Sequence, residues 1–402
     1  MLIRKNAEAI RVLVAVCLIF LGGLAPFEAI AAGDAEPAAW KKKMQELGGA
    51  FTELVSDLSS EERFAKFDAR VLKNAKIVAK LAHQLEKMPA DGKSMVDPDP
   101  SVAFLSALFA NQAQHGYDEL KRGHRSYARG VLRSVAGYCI ACHSRNTSGA
   151  TTAKAADPLT LIPSGLRSLE KAEFLTVTRK FPEAFEALEK IVANPQGEGA
   201  QGLEWERAAR LGLVVSIRVL KNADAALRIV DRILVKVDAP LFLKEQAQAW
   251  KTALEKWKTE AIRETPTESG LYAEAVRLVS EAVQSQKYPA DRSADVSYLR
   301  ASAALHELLT KYPAGSRVNE SLFLTGVAYQ ALQDLQLWEL HDLYFESCAR
   351  RAGKSDLGLR CYQRMEESLY AAYSGSGGVH LPTDVLKRLS DLRNLVSVEV
   401  KN

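Results

Sequence analysis

One short run in this chain has the residue types and spacing for chemistry: Cys139-Ile140-Ala141-Cys142-His143. Two thiols three residues apart on a helix sit one turn apart. There they can form thioethers with the two vinyl groups of a haem, and the next residue brings an imidazole under the iron. At this chain's own Cys and His frequencies, a CxxCH arises by chance in about one such chain in a thousand. The spacing predicts one haem c per chain, held through Cys139 and Cys142, with His143 as the proximal iron ligand. Three other chemistries compete. A zinc site needs two further ligands at finger-like spacing, and Cys348 and Cys361 are remote. A thioredoxin-like redox pair needs a preceding strand in a βαβ context. A plain disulfide is poor geometry for i,i+3 positions on a regular helix. Nothing resembles a nucleophile–base pair or a carboxylate dyad, so a substrate-turnover enzyme is not expected.

The elements that position the run follow from composition and periodicity. The chain has 402 residues, a formal charge of +4, 47% hydrophobic and 25% charged residues. These proportions exclude wholesale disorder and a multi-span membrane protein, and the charge is too small to argue for nucleic acid. Abundant Ala, Leu, Glu, Lys and Arg favour an all-α fold. Residues 1–32 read as a signal peptide: Arg4, Lys5 and Arg11, an apolar run from Val12 to Leu21, then small Ala29, Ala31 and Ala32. The apolar run is too short to span a bilayer, and the residues around Cys17 do not form a lipid-attachment box. The chain is therefore expected in the periplasm, without a membrane span after cleavage, where disulfides persist.

Within 33–147, four amphipathic helices are expected. Trp40, Met44, Leu47, Phe51, Leu54 and Leu58 line the first. Ser59 with Glu62 is a capping-box pattern for a second, running from Phe64 to Met88. A loop at 89–100 precedes a third, with Pro100 in its first turn, and Gly123 ends it. Tyr127, Val131, Val135, Tyr138 and Cys142 share a face of the fourth. Short connections make this an up-down-up-down four-helix bundle, with the start of the first helix and the end of the fourth at one end. Met44 and His83 lie near that end. Met44 is on the buried stripe, whereas His83 points to solvent.

Residues 38–147, with WKKKMQELGGAF in the first helix and CxxCH closing the fourth, resemble the four-helix-bundle c-type cytochromes. That class includes cytochrome c prime and the low-spin cytochrome c-556. The resemblance covers about a quarter of the chain. Members typically carry a basic residue near the haem Cys pair, and here the nearest upstream one is Arg133. The resemblance implies a distal iron ligand at Met44, since low-spin relatives use a first-helix Met at the matching place. It leaves open a vacant sixth position with Met44 as core filler. His/Met ligation suits outer-sphere electron transfer, and a vacant position suits nitric oxide or carbon monoxide. Members often form a homodimer through the first two helices.

Asn146 to Pro158 is small and polar, giving a linker at 148–160. Beyond it, 161–402 reads as a tetratricopeptide-like (TPR-like) helical repeat domain. Helical pairs recur around Ala172 and Ala184, from Leu203, and around Leu322, Gly326 and Tyr329. Such arrays usually dock a protein or peptide. Tyr288, Tyr298, Tyr312, Tyr329 and Trp338 are groove candidates, with core packing favoured for most. Cys348 and Cys361 flank a turn and are a disulfide candidate. His306 and His341 read as partly exposed or core residues rather than ligands. The 375–382 run reads as a flexible loop with a solvated His380, ahead of a last helix from Thr383. The whole is expected to be a periplasmic, single-electron c-type cytochrome whose repeat domain docks a redox partner protein. The alternatives are a haem-based gas sensor and a periplasmic scaffold with structural haem.

Overall fold

A computed structural model describes residues 35–87, 99–145, 162–194, 202–260, 266–333 and 339–397, with side chains from 42 onward. The segment read as a signal peptide with Cys17, the stretch 148–160 read as a linker, most of 89–100, and the side chains of Trp40 and Trp338 lie outside the described residues. The chain divides after Ala39, and residues 40–402 make one compact unit. The fold is all-α apart from one minimal hairpin. Among the described residues no helix is long and apolar enough to cross a membrane.

The first helix, α1 (Ala35–Leu58), buries Leu47, Phe51, Leu54 and Leu58, the stripe its spacing predicts. The expected second helix is broken into α2 (Glu61–Lys66) and α3 (Asp68–Glu86). Its cap is Ser60, whose Oγ accepts from the Arg63 amide at 3.1 Å; Ser59 instead donates to the Ser56 carbonyl. The break falls at Phe67 (φ −110°, ψ 30°). Arg63 and Arg70 reach back from either side of this break to the fully buried Asp57 of α1. Satisfying that carboxylate from both sides offsets the lost helical hydrogen bonds.

The next helix, α4 (Ser101–Lys121), begins one residue after Pro100 and ends at Gly123, whose φ of +85° suits glycine. The expected fourth helix is α5 (Arg125–Ser134) and α6 (Ala136–His143), meeting at Val135. Asn74 of α3 bonds Glu53 of α1, Gln112 of α4 bonds Ser134, and Arg129 of α5 donates to the Leu58 carbonyl.

The remaining helices form sequential hairpins. The first pair is α7 (Ser168–Val177) and α8 (Phe181–Ala193), with Ala172 and Ala184 fully buried. Next comes α9 (Gly202–Leu213), continued by a π-helical segment (Val214–Val219) and followed by α10 (Ala223–Val235). Then follow α11 (Leu241–Thr259), α12 (Glu268–Ser285), α13 (Asp295–Lys311), α14 (Val318–Leu332), α15 (Leu340–Ala352) and α16 (Asp356–Ala372). The glycine-rich run is a two-strand hairpin, β1 (Ser374–Gly375) with β2 (Gly378–Val379), before α17 (Thr383–Val396). One apolar core runs from Leu47 to Val396, so the segments on either side of the linker share it. The helix α6 packs on both α4 and α7, and α15 touches α4.

Cys348 on α15 and Cys361 on α16 are joined in a disulfide, Cα atoms 6.0 Å apart, and both are fully buried. Reducing it under native conditions is expected to lower stability by about 2–3 kcal/mol in chemical denaturation. A second outcome follows from the α14–α15 contact, where a Cβ on Gly326 would lie 2.5 Å from the Phe345 ring. Gly326→Ala is expected to cost about 1–3 kcal/mol by overpacking. That outweighs the helix-propensity gain of about 1 kcal/mol, so the melting temperature falls.

Candidate functional site

The motif helix is oriented by its own core residues. Ile140 and Ala141 are fully buried, and at about 100° per residue the opposite side of α6 carries Cys139, Cys142 and His143. All three are half-buried. The two thiols are not bridged. Burial, and then the neighbouring Cys142, push the Cys139 thiol up to about 12, so it is protonated at neutral pH.

His143 is fixed by a residue outside the 33–147 segment. Its Nδ1 lies 2.6 Å from the Val177 carbonyl oxygen at the end of α7. A carbonyl only accepts, so Nδ1 carries the proton and Nε2 keeps its lone pair. Burial, and then the charge of Arg179, push the imidazole down to about 3 against the Val177 bond. The ring is therefore neutral. A neutral imidazole whose second nitrogen donates to a backbone carbonyl is the arrangement that metal-ligating histidines adopt. Among the described residues Nε2 has no hydrogen-bond partner.

Arg179 stands beside the motif in left-handed backbone conformation (φ 59°), between α7 and α8. Its charge bears on both Cys142 and His143. Its Nη1 is buried and has no hydrogen-bond partner among the described residues. A guanidinium stays charged, so the spot favours an anionic group.

Met44 is half-buried and packs against the main core. His83 is half-buried and bonded to Glu86 at 3.0 Å. His115 meets Tyr127, and His124 meets Glu119 at 2.6 Å, both well away from the motif along the chain. His341 is held by Ser368, and the exposed His380 bonds the Gly377 carbonyl.

Among the described residues no group of three or more His, Cys, Asp or Glu side chains can hold a metal ion. Cys348 and Cys361 are bonded to each other, which removes them as zinc ligands. A site offering one imidazole suits a metal that arrives with its own equatorial ligands. A cleft of about 460 Å³ opens one turn before Cys139, lined by Ala136, Phe51, Val55, Leu58, Phe174 and Val177. Arg133, Arg167 and Arg207 at its rim are paired with Glu170, Glu204 and Glu173.

Of the groove candidates, Tyr298 and Tyr329 are core residues, Tyr312 is half-buried and Tyr288 is exposed. Val177 and Arg179 had no signal in the sequence around the motif, because both come from a segment more than thirty residues away. The chain matches no protein-family model, no curated protein and no solved structure.

In the folded chain Cys139 is expected to resist iodoacetamide at pH 8 and to react fully in urea. Mass spectrometry of the peptide checks this; equal rates in both conditions would contradict its burial.

Proposed function

We propose that this chain is an exported c-type cytochrome of the periplasm that passes single electrons. The observation that carries the reading is the His143–Val177 hydrogen bond, which leaves Nε2 of a neutral imidazole available beside two unbridged thiols. Cys139 and Cys142 would hold one haem as thioethers, and His143 would be its proximal iron ligand. Met44 would be the distal ligand. The bound haem supplies a one-electron couple, tuned by its axial ligands and its burial.

The chain's own residues do the rest. Val177 fixes the imidazole tautomer and raises its basicity as a ligand. Ile140 and Ala141 lock the helix that presents the motif. Arg179 supplies a buried cation that suits a carboxylate of the group, so the residues present fit it. In this reading α1, α2–α3, α4 and α5–α6 are the up-down-up-down bundle. The hairpins from α7 onward are a TPR-like array that docks a redox partner protein. No nucleic-acid role is proposed.

The test is expression with haem-attachment machinery, then absorption spectra of both oxidation states. A low-spin ferrous spectrum insensitive to carbon monoxide is expected, with Met44→Ala converting it to high spin. An unchanged spectrum in that variant would remove Met44 as ligand. A wild-type ferrous band that shifts with carbon monoxide would move the protein to the gas-binding class. A His143→Ala chain with normally ligated haem would overturn the reading.

A further inference from the structure

Five of the large apolar side chains left exposed on this chain gather at one end of the α9–α11 hairpins. Leu203 lies in the first turn of α9, Val235 closes α10, Val237 sits in the connection, and Leu241 and Phe242 open α11. They are 85%, 71%, 92%, 73% and 52% exposed. Two contacts bring them together. The Lys236 ammonium lies 5.2 Å from the Trp205 ring centroid, which puts the end of α10 beside the start of α9. Lys244 donates to the Val237 carbonyl at 3.2 Å, which closes the connection onto α11. Single exposed apolar side chains are ordinary, whereas a contiguous group marks a contact surface.

The polar groups around this tip are matched within the chain. The Pro240 carbonyl accepts from the Leu243 and Lys244 amides at 3.0 and 3.1 Å, and the Lys236 carbonyl from the Ala239 amide at 3.3 Å. Pro240 has no N–H to satisfy. With the Lys244 bond to Val237, these three carbonyls keep partners when water is removed, as backbone entering an apolar phase must. Asp238, the one acid of the connection, is paired with Lys236 at 2.8 Å. Asp231 is paired with Lys251 at 2.8 Å, and Glu204 with Arg167. Arg232, one turn before Lys236, is exposed and has no carboxylate partner among the described residues. Arg232 and Lys244 thus set positive charge behind the apolar tip, offset in part by the exposed Glu245.

We infer that this tip docks the protein on a phospholipid bilayer: Leu203, Val235, Val237, Leu241 and Phe242 enter the headgroup–acyl boundary, and Arg232 and Lys244 meet lipid phosphates. A lipid surface fits better than a protein for two reasons. A stable protein interface takes roughly 20–30 residues a side, and five protrude here. A bilayer needs no matching pocket, since each apolar side chain contributes by the area it removes from water. The charge is complementary as well, because cations behind apolar side chains face phosphates above acyl chains. Such a contact lies on the bilayer and crosses nothing. The tip is on α9–α11 and the motif on α6, so the inference uses no haem and no redox step.

Val237→Trp in the full chain tests it, with mixed phosphatidylcholine–phosphatidylglycerol vesicles as the probe. The apolar run from Val12 to Leu21 can bind lipid by itself, so the readout is at the tip and not total binding. The added tryptophan emission, taken as the difference from wild type, should shift to the blue on adding vesicles. Lipids brominated on the acyl chain should quench it. Leu386→Trp, at an exposed position on α17, should show neither effect. Adding Leu241→Asp to Val237→Trp should weaken the vesicle affinity read this way about tenfold. Adding Arg232→Glu should weaken it severalfold at low salt, and an unchanged affinity would overturn the phosphate contact. All these positions are exposed, so each variant should fold, which circular dichroism checks. Emission at position 237 that vesicles do not shift, or that acyl-chain bromines do not quench, overturns the inference even if the chain binds lipid elsewhere. Self-association in lipid-free sedimentation velocity that Val237→Asp abolishes overturns it too, by making the patch an interface between copies of the chain.

Discussion

The hydrogen bond from His143 to the Val177 carbonyl is the constraint around which the site is arranged. In water such a bond contributes only about 1 kcal/mol net, but leaving a buried donor unpaired costs about 1–3 kcal/mol. The imidazole therefore keeps one orientation. For that to hold, the end of α6 and the end of α7 must stay in register, and several contacts serve this. Ile140 and Ala141 anchor one side of α6. The ion pair of Arg133 with Glu170 joins α5 to α7. Arg145 continues the chain past the motif and packs on Tyr329. The motif is thus held by two segments that the sequence separates with a polar linker.

The interior beside it is more polar than an ordinary helical core. Asp57, Arg145, Arg218 and His306 are buried, and Asp99 is half-buried. Buried charges are poor stabilisers compared with apolar packing, but each of these has partners whose geometry admits one arrangement. Asp99 ties α4 to α13 and α15 through His306 and Tyr344. Asp57 ties α1 to both sides of the break at Phe67. Apolar surfaces of α-helices slide at modest cost, and these bonds fix where the sliding stops.

The helices and the motif were legible in the sequence because both are local signals. The α1 stripe from Leu47 to Leu58, the break at Gly123 and the turn between Ala172 and Ala184 all follow from spacing within about twenty residues. The cap moved from Ser59 to Ser60 because two candidate hydroxyls adjoin and only tertiary context chooses between them. The break at Phe67 was hidden for a similar reason, since the apolar period continues through it while Asp57 draws the arginines aside. Of the site, the motif's residue types were readable, but Val177 acts through its carbonyl, which every residue possesses. Arg179 and Asp99 are ordinary surface-type residues until the fold encloses them. His306 reads from sequence only as a core or partly exposed helix residue, and its bonds to Asp99 and Tyr329 come from segments far along the chain.

The π-helical segment at Val214–Val219 has a consequence for how this chain tolerates change in length. A π turn amounts to one residue inserted into an α-helix, and every side chain beyond it is rotated by about 100°. That rotation sets Arg218 inward, where it donates to Ser302 at 2.9 Å and lies over the Tyr329 ring. Deleting one residue of the segment ahead of Arg218 would restore the regular helix and rotate the guanidinium by about 100°, away from Ser302 and the Tyr329 ring. Composition would hardly change, yet the cation would lose its interior partners. The charge inside this protein is thus set by a count of residues.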